Sequence, residues 1–257
     1  MLDDLIRRHL DYHATPRPIA AMEIDYPSGT STGLHAHPRG QLLHAITGVM
    51  IVRSAAGSWV VPPNRALWLA ADLEHEVQMC GEVKIRTVFV DPDAAPHLPR
   101  TSCVIAVSAL LRELIVAAVA VPIDYERGSR DERLLLLLLD ELRKFDALPL
   151  HLPAPRDIRL RTICEALTSR PDDVTTAQQW ADRIGVTAKT LHRLFSKETG
   201  MTFGQWRQQA RLLFALQRLA RGEKIIDVAF DSGYASQSAF TAMFRKHFGI
   251  PPSAFYR

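Results

Sequence analysis

Two stretches in the last third of the chain decide its fold: "WADRIGVTAKTLHRLFSKETG", Trp180 to Gly200, and "VAFDSGYASQSAFTAMFRKHFG", Val228 to Gly249. They are two copies of one pattern. In each, an alanine precedes a glycine by four residues: Ala181 before Gly185, and Ala229 before Gly233. An apolar set follows, Leu191, Leu194 and Phe195 in the first copy and Phe240, Met243 and Phe244 in the second. The second copy carries one extra residue after its glycine. A small alanine suits a close helix crossing, and glycine tolerates the left-handed backbone of a tight turn. Each copy therefore reads as a helix-turn-helix whose second helix is free to enter a DNA major groove. A helical hairpin with no nucleic-acid role is the alternative for a single copy. Tandem repetition with the same inward face argues against it.

The helical period of about 100° per residue turns Leu191, Leu194 and Phe195 inward. Lys189, His192, Arg193 and Ser196 then point out, with donors suited to phosphates and guanine edges. In the second copy Gln237, Ser238, Thr241, Ala242 and Arg245 point out. Gln237 suits adenine, and Arg245 suits a phosphate. Thr175 or Thr176 and Thr187 stand where helix caps are needed. Arg156 to Leu167 reads as a bracing helix. Between the copies, Phe203 to Ala220 reads as one helix about 27 Å long. Successive major grooves on one face of B-DNA lie about 34 Å apart. Such a spacer places one copy in each of two adjacent grooves, with some bending of the duplex. Arg207, Arg211, Arg218 and Arg221 add positive charge, part of it plain solvated surface.

The closing stretch "SQSAFTAMFRKHFGIPPSAFYR", Ser236 to Arg257, resembles the signature of the AraC/XylS family of bacterial transcription regulators. The likeness extends back to Arg156. It implies a one-component, cytoplasmic, homodimeric regulator of double-stranded promoter DNA, activator more often than repressor, that contacts RNA polymerase. Ala242 stands where the family often has arginine, which moves base reading toward the first copy.

Charge divides the same way. Residues 156–257 hold sixteen Lys/Arg against nine Asp/Glu, whereas the whole chain holds 31 against 28. The C-terminal part is therefore basic and the remainder acidic, so phosphate binding belongs to the former. Cys80, Cys103 and Cys164 are far apart and form no C-x-x-C, which suits reduced thiols. The start "MLDDLIRRHLDYH" has acids where an export signal needs a basic start and an apolar run. Leu134 to Leu139 is too short to span a bilayer, and Val104 to Val121 is interrupted by Arg112 and Glu113. No membrane partner is expected.

The first hundred residues read as short strands with Gly/Pro punctuation: Ile19–Tyr26, Gln41–Thr47, Val49–Ser54, Trp59–Val61, Ala66–Leu69, Glu76–Met79 and Val83–Val90. This spacing points to an antiparallel sandwich or barrel. Within it lies "GLHAHPRGQLLHAITGVM", Gly33 to Met50. His35 and His37 share one strand face, and His75 follows later. The arrangement is similar to the two motifs of the cupin fold. That resemblance implies a small-molecule effector or metal site on His35, His37, Gln41 and His75. Three imidazoles suit zinc, nickel or iron(II). Gln41 stands where cupins usually have glutamate, and Ala70 and Asp72 replace the Pro and Gly of the second motif. The alternative is a pocket whose histidines bond to each other, to backbone or to an organic ligand. His44 has the opposite parity and points elsewhere. His13, His97 and His151 read as surface residues. No catalytic residue is assigned. The runner-up function is a metal-dependent cupin enzyme fused to a DNA-binding part, but Glu74 and Glu76, the acids nearest His75, face away from it.

The middle reads as two helices, Ser108 to Ala120 and Arg130 to Phe145. The second is apolar nearly all round over Leu134 to Leu139, so it needs cover on more than one side. One side suits the sheet and the other the same helix of a second chain. "ALPLHLPAPRD", Ala147 to Asp157, reads as an extended linker. The fold expected is thus multidomain: an all-β cupin-like sensor over 1–100, a helical dimerisation segment and linker over 101–152, and an all-α DNA-binding domain over 153–257. The two helix-turn-helix units fall at about 175–200 and 224–249 by these caps and turns.

Overall fold

The computed structural model describes residues 12–63, 65–142, 147–148 and 150–255. The chain divides into two compact units. One comprises 1–54 and 61–149, the other 55–60 and 150–257.

The first unit is built on an antiparallel sheet. Its strands are β1 (Ile19–Tyr26), β2 (Gly40–Ser54), β4 (Arg65–Leu69), β5 (His75–Val90), β6 (Cys103–Ala106) and β7 (Ala147–Leu148), in the order β1-β5-β2-β4-β6-β7. The long β2 and β5 pair from Gly40↔Val90 to Ser54↔His75. From sequence each reads as two strands. The register slips between Ala45 and Val49, where Gly48 takes a φ of 74°. A side chain at Gly48 would meet the Glu82 carbonyl oxygen at 2.5 Å. The glycine thus breaks the alternation of side chains while the ladder continues past it. Outside the long ladder, His35 and His75 form an isolated antiparallel bridge.

Two helices cover the sheet. Helix α1 (Ala109–Ala118) is capped by the Ser108 hydroxyl and α2 (Arg130–Glu141) by that of Ser129. Residues 143–145, read from sequence as the end of the second helix, lie outside the described residues. Leu111, Leu114, Ile115, Leu135, Leu138 and Leu139 join Ile19, Leu42, Val88 and Ile105 in one core. Each such leucine contributes about 1.5–3 kcal/mol by leaving water. The leucine run is therefore divided by the helical period. Leu135, Leu138 and Leu139 are buried, whereas Leu136 and Leu137 remain 46% and 44% exposed. Residues 101–152, read as a helical segment and linker, also contribute β6, β7 and the start of β8 (His151–Pro153).

Among the described residues the second unit holds the α-helices α3 (Ile158–Ser169), α4 (Ala177–Arg183), α5 (Ala188–Thr199), α6 (Phe203–Ala220), α7 (Ile225–Asp231) and α8 (Gln237–Phe248). Strand β3 (Gly57–Val61) pairs with β8 from Gly57↔Pro153 to Trp59↔His151. Every helix but α7 starts on a capping side chain. Thr176 and Thr202 close full capping boxes with Gln179 and Gln205, each satisfying two otherwise orphaned N–H groups. Spacer α6 buries Trp206, Leu212, Leu213, Leu216 and Leu219 along one side. Among the described residues no helix is long and apolar enough to cross a membrane.

Candidate functional site

The two repeats match at their turns. Ala181 and Ala229 are both fully buried at the helix crossing. Gly185 and Gly233 take φ of 70° and 77°, the left-handed turn their sequence position requires. The residue after each glycine closes the same bond: Val186 donates to the Ala181 carbonyl at 3.0 Å, and Tyr234 to the Ala229 carbonyl at 3.0 Å. Inside, Leu191, Phe195, Phe240 and Phe244 are each 0% exposed. Phe195 meets Phe203 edge-on at 5.4 Å, and Phe240 meets Tyr234 at 5.4 Å.

That packing fixes the outward faces. Lys189, His192, Arg193 and Ser196 on α5 are exposed, as are Gln237, Ser238, Ala242 and Arg245 on α8, while Thr241 is half-buried. The α5 face carries three basic side chains. On α8 the positive charge lies in the last turn, at Arg245 and Lys246. The arginines expected to add charge along the spacer are engaged within the protein. Arg207 Nη1 donates to the Thr175 carbonyl at 3.1 Å, and Arg211 Nε donates to that of Pro171 at 2.7 Å. Arg218 pairs with Glu223 and Asp231.

The first unit brings His35, His37 and His75 together, with ligand atoms all within 4.8 Å of one another. Strand pairing does most of this. The His35–His75 bridge exchanges two backbone hydrogen bonds, at 2.9 and 2.8 Å. The protonation of the three rings follows from their neighbours. His35 Nδ1 faces the Gly33 carbonyl at 2.9 Å, His37 Nδ1 that of Arg39 at 2.7 Å, and His75 Nδ1 that of Leu73 at 2.7 Å. A carbonyl oxygen only accepts, so each Nδ1 carries the hydrogen. Burial first, then the neighbouring imidazoles, pushes His75 down to about 4, and burial also lowers His37. These two rings are therefore neutral at pH 7, and their lone pairs sit on Nε2. His75 Nε2 is buried with no partner.

Gln41 belongs to the same cluster. Its amide oxygen as placed lies 2.9 Å from His37 Nε2, and its amide nitrogen 3.0 Å from the Thr87 hydroxyl. Since His37 Nε2 is an acceptor, the consistent assignment turns the amide nitrogen to His37 and its oxygen to Thr87. His44 stands apart and binds the Arg65 carbonyl at 2.9 Å.

Two histidines expected at the surface are not there. His13 is half-buried, stacked on His37 at 4.8 Å and edge-on to Phe89 at 4.7 Å. Arg39 holds that segment in place. Its buried guanidinium donates to the backbone carbonyls of His13 at 3.4 Å, Thr15 at 2.6 Å and Arg17 at 2.9 Å. No spacing in the sequence signals this contact, because the acceptors are backbone atoms. His151 is likewise half-buried, stacked on Trp59 at 4.6 Å. His97 is exposed as expected.

Residues 180–257 match a family described as a helix-turn-helix domain. The chain is 34% identical over 222 residues to the HTH-type transcriptional regulator NimR of Escherichia coli (strain K12), covering 86% of this chain and 81% of that protein. It is 41% identical over 104 residues to the HTH-type transcriptional regulator RipA of Corynebacterium glutamicum, covering 40% of this chain and 31% of that one. The regulatory protein SoxS of Salmonella typhimurium is 34% identical over 95 residues, which are 37% of this chain and 89% of SoxS.

Proposed function

Because this chain belongs to the AraC family of helix-turn-helix transcriptional regulators, we propose that α5 is its main base-reading helix and that the histidine cluster of the first unit is its sensor. DNA-binding transcription regulation is the family's activity. The observation that supports the division of labour is the unequal chemistry of two equally packed helices. The exposed face of α5 offers Lys189, His192 and Arg193, whereas α8 offers alanine at its centre, Ala242. An arginine reaches guanine O6 and N7 with two hydrogen bonds; an alanine methyl reads at most a thymine methyl. Arg193→Ala is expected to cost about 1–3 kcal/mol on the selected operator and to relax one base position. Binding-site selection with the two proteins checks this. Equal loss on operator and on random duplex makes Arg193 a phosphate contact instead.

The sensor reading rests on lone pairs. His75 Nε2 is buried and unpartnered, and the other rings of the cluster turn their N–H groups outward to backbone carbonyls. This is the support that metal-binding histidines use, with the remote N–H held by a carbonyl. A divalent transition metal fits the set. Occupancy then shifts the protein between states of different DNA affinity. A catalytic role for the same site requires an acid or base beside the imidazoles. Glu76 is committed to the Ser31 hydroxyl at 2.5 Å, and Glu74 is exposed.

Leu136 and Leu137 supply the surface for a second copy. They sit side by side on α2, opposite the leucines that hold it to the sheet. The Leu136→Glu/Leu137→Glu double variant is expected to sediment at half the mass of the parent with its fold intact. A parent already monomeric at high concentration ends this reading.

A further inference from the structure

Between the spacer α6 and the turn of the second repeat lies a polar cleft of about 250 Å³, lined by Gly204, Arg207, Gln208, Arg211 and Tyr234. Four of these come from one face of α6, spaced three, four and seven residues apart. The fifth follows the turn glycine of the second repeat. The lining is made of donors. Arg207 uses one N–H, on the Thr175 carbonyl. Arg211 uses two, on the Pro171 and Asp173 carbonyls at 2.7 and 3.2 Å. A guanidinium has five, so both keep N–H groups for another acceptor. Tyr234 Oη is buried with no partner at all, a costly arrangement unless something binds it. Gly204 leaves open space, since a side chain there would meet nothing within 4 Å.

The nearest carboxylates do not close the site. Asp173 is engaged by the Thr175 backbone N–H at 2.7 Å and by Arg170 at 3.5 Å. Asp172 is exposed on the same loop. Two guanidinium groups thus stand close together: burial chiefly disfavours the charge on Arg211, Arg207 adds to that, and Asp172 and Asp173 offset part of it. An anion relieves that repulsion. The arrangement also explains Gly233. A Cβ there would lie 2.7 Å from Arg211 Nη2, so the turn of the second repeat leaves room for the guanidinium.

We propose that this cleft is a phosphate-binding site, with Arg207 and Arg211 as the cations and Tyr234 Oη as the neutral donor. Its phosphate has two sources, a phosphodiester of the bound duplex or a free phosphate ester. The two arginines that line the cleft also hold the loop before the first repeat, and Tyr234 follows the turn of the second. A phosphate held there ties both repeats to one point.

The test uses the full chain. Inorganic phosphate is titrated and followed by phosphorus NMR. In parallel, binding to a random duplex of about 30 base pairs, three helical turns, is measured against salt. Tyr234→Phe removes only an oxygen that no protein group uses, so its unfolding midpoint is expected to stay level or rise. Its phosphate affinity is expected to fall about tenfold, the loss of one hydrogen bond to a charged group. Gln208→Glu, an exposed position, adds a negative charge at the rim without touching the packing and is expected to weaken phosphate as well. If the duplex supplies the phosphate, Arg207→Gln lowers the slope of log K against log salt by about 0.9. An unchanged slope with weakened inorganic phosphate assigns the site to a free ester. Phosphate affinity and salt slope both unaltered in all three variants overturn the proposal.

Discussion

Replacing His75 by alanine is expected to strip the protein of a bound divalent metal. Native protein purified without chelator or affinity tag should carry near one zinc, nickel or iron per chain by elemental mass spectrometry. His35→Ala and His75→Ala should each carry close to none. The magnitude follows from coordination number. Three imidazoles make a tight site, and removing one leaves two neutral ligands for a dication, below the three protein ligands that even open zinc sites retain. Gln41 sets the direction of a second variant. Its amide nitrogen now occupies the His37 lone pair, so metal uptake must break that hydrogen bond. Gln41→Glu replaces a competing donor with an anionic ligand and is expected to tighten the metal by tenfold or more, in line with the charge it adds. A wild type that stays metal-free after incubation with each cation sinks the metal reading. The histidines then line a pocket for an organic effector.

The second large effect lies in the other unit. Phe240→Ala is expected to destabilise the second helix-turn-helix by about 3–5 kcal/mol, the usual cost of emptying a buried phenylalanine site. Phe240 is 0% exposed and packs edge-on to Tyr234 and to Phe244, at 5.4 and 5.7 Å. Helix α8 has few other anchors, since only Phe240 and Phe244 of its residues are buried. Against a typical margin of about 5–15 kcal/mol for a domain, the loss is large enough to lower the urea midpoint sharply. Phe195→Ala makes the matching change in the first repeat. If α5 is the main reader, operator binding falls further in Phe195→Ala than in Phe240→Ala at equal loss of stability. A Phe240→Ala cost below about 1 kcal/mol would mean that the α8 core closes around the gap, which current views of core packing make unusual.

Most of the helical unit was legible because its signals are local. The spacer read from sequence as Phe203 to Ala220 has those bounds in the structure. A threonine three residues before a glutamine marks its start, and the structure closes a capping box there. The turn glycines were equally plain. Strand β1 was read with its true ends, because eight residues rich in apolar side chains stand between prolines. The losses are all non-local. Strand β6 is four residues long and exists by virtue of its partner β4, thirty-odd positions earlier in register with it. The burial of His13 depends on a guanidinium reaching backbone carbonyls. That the Gln41 amide lies against His37 Nε2 and the Thr87 hydroxyl likewise depends on strands far apart in sequence.

Arg39 grips the segment from His13 to Arg17 only by main-chain oxygens. An anchor of that kind is blind to side-chain identity. The grip leaves side-chain identity open at position 13, so the ring stacked on His37 there is open to retuning, whereas Thr15 and Arg17 have side-chain ties of their own, to the Ile123 carbonyl and over the Tyr125 ring. Arg39 has no such latitude: a lysine has one nitrogen where the guanidinium spreads three, and every tether would slacken together.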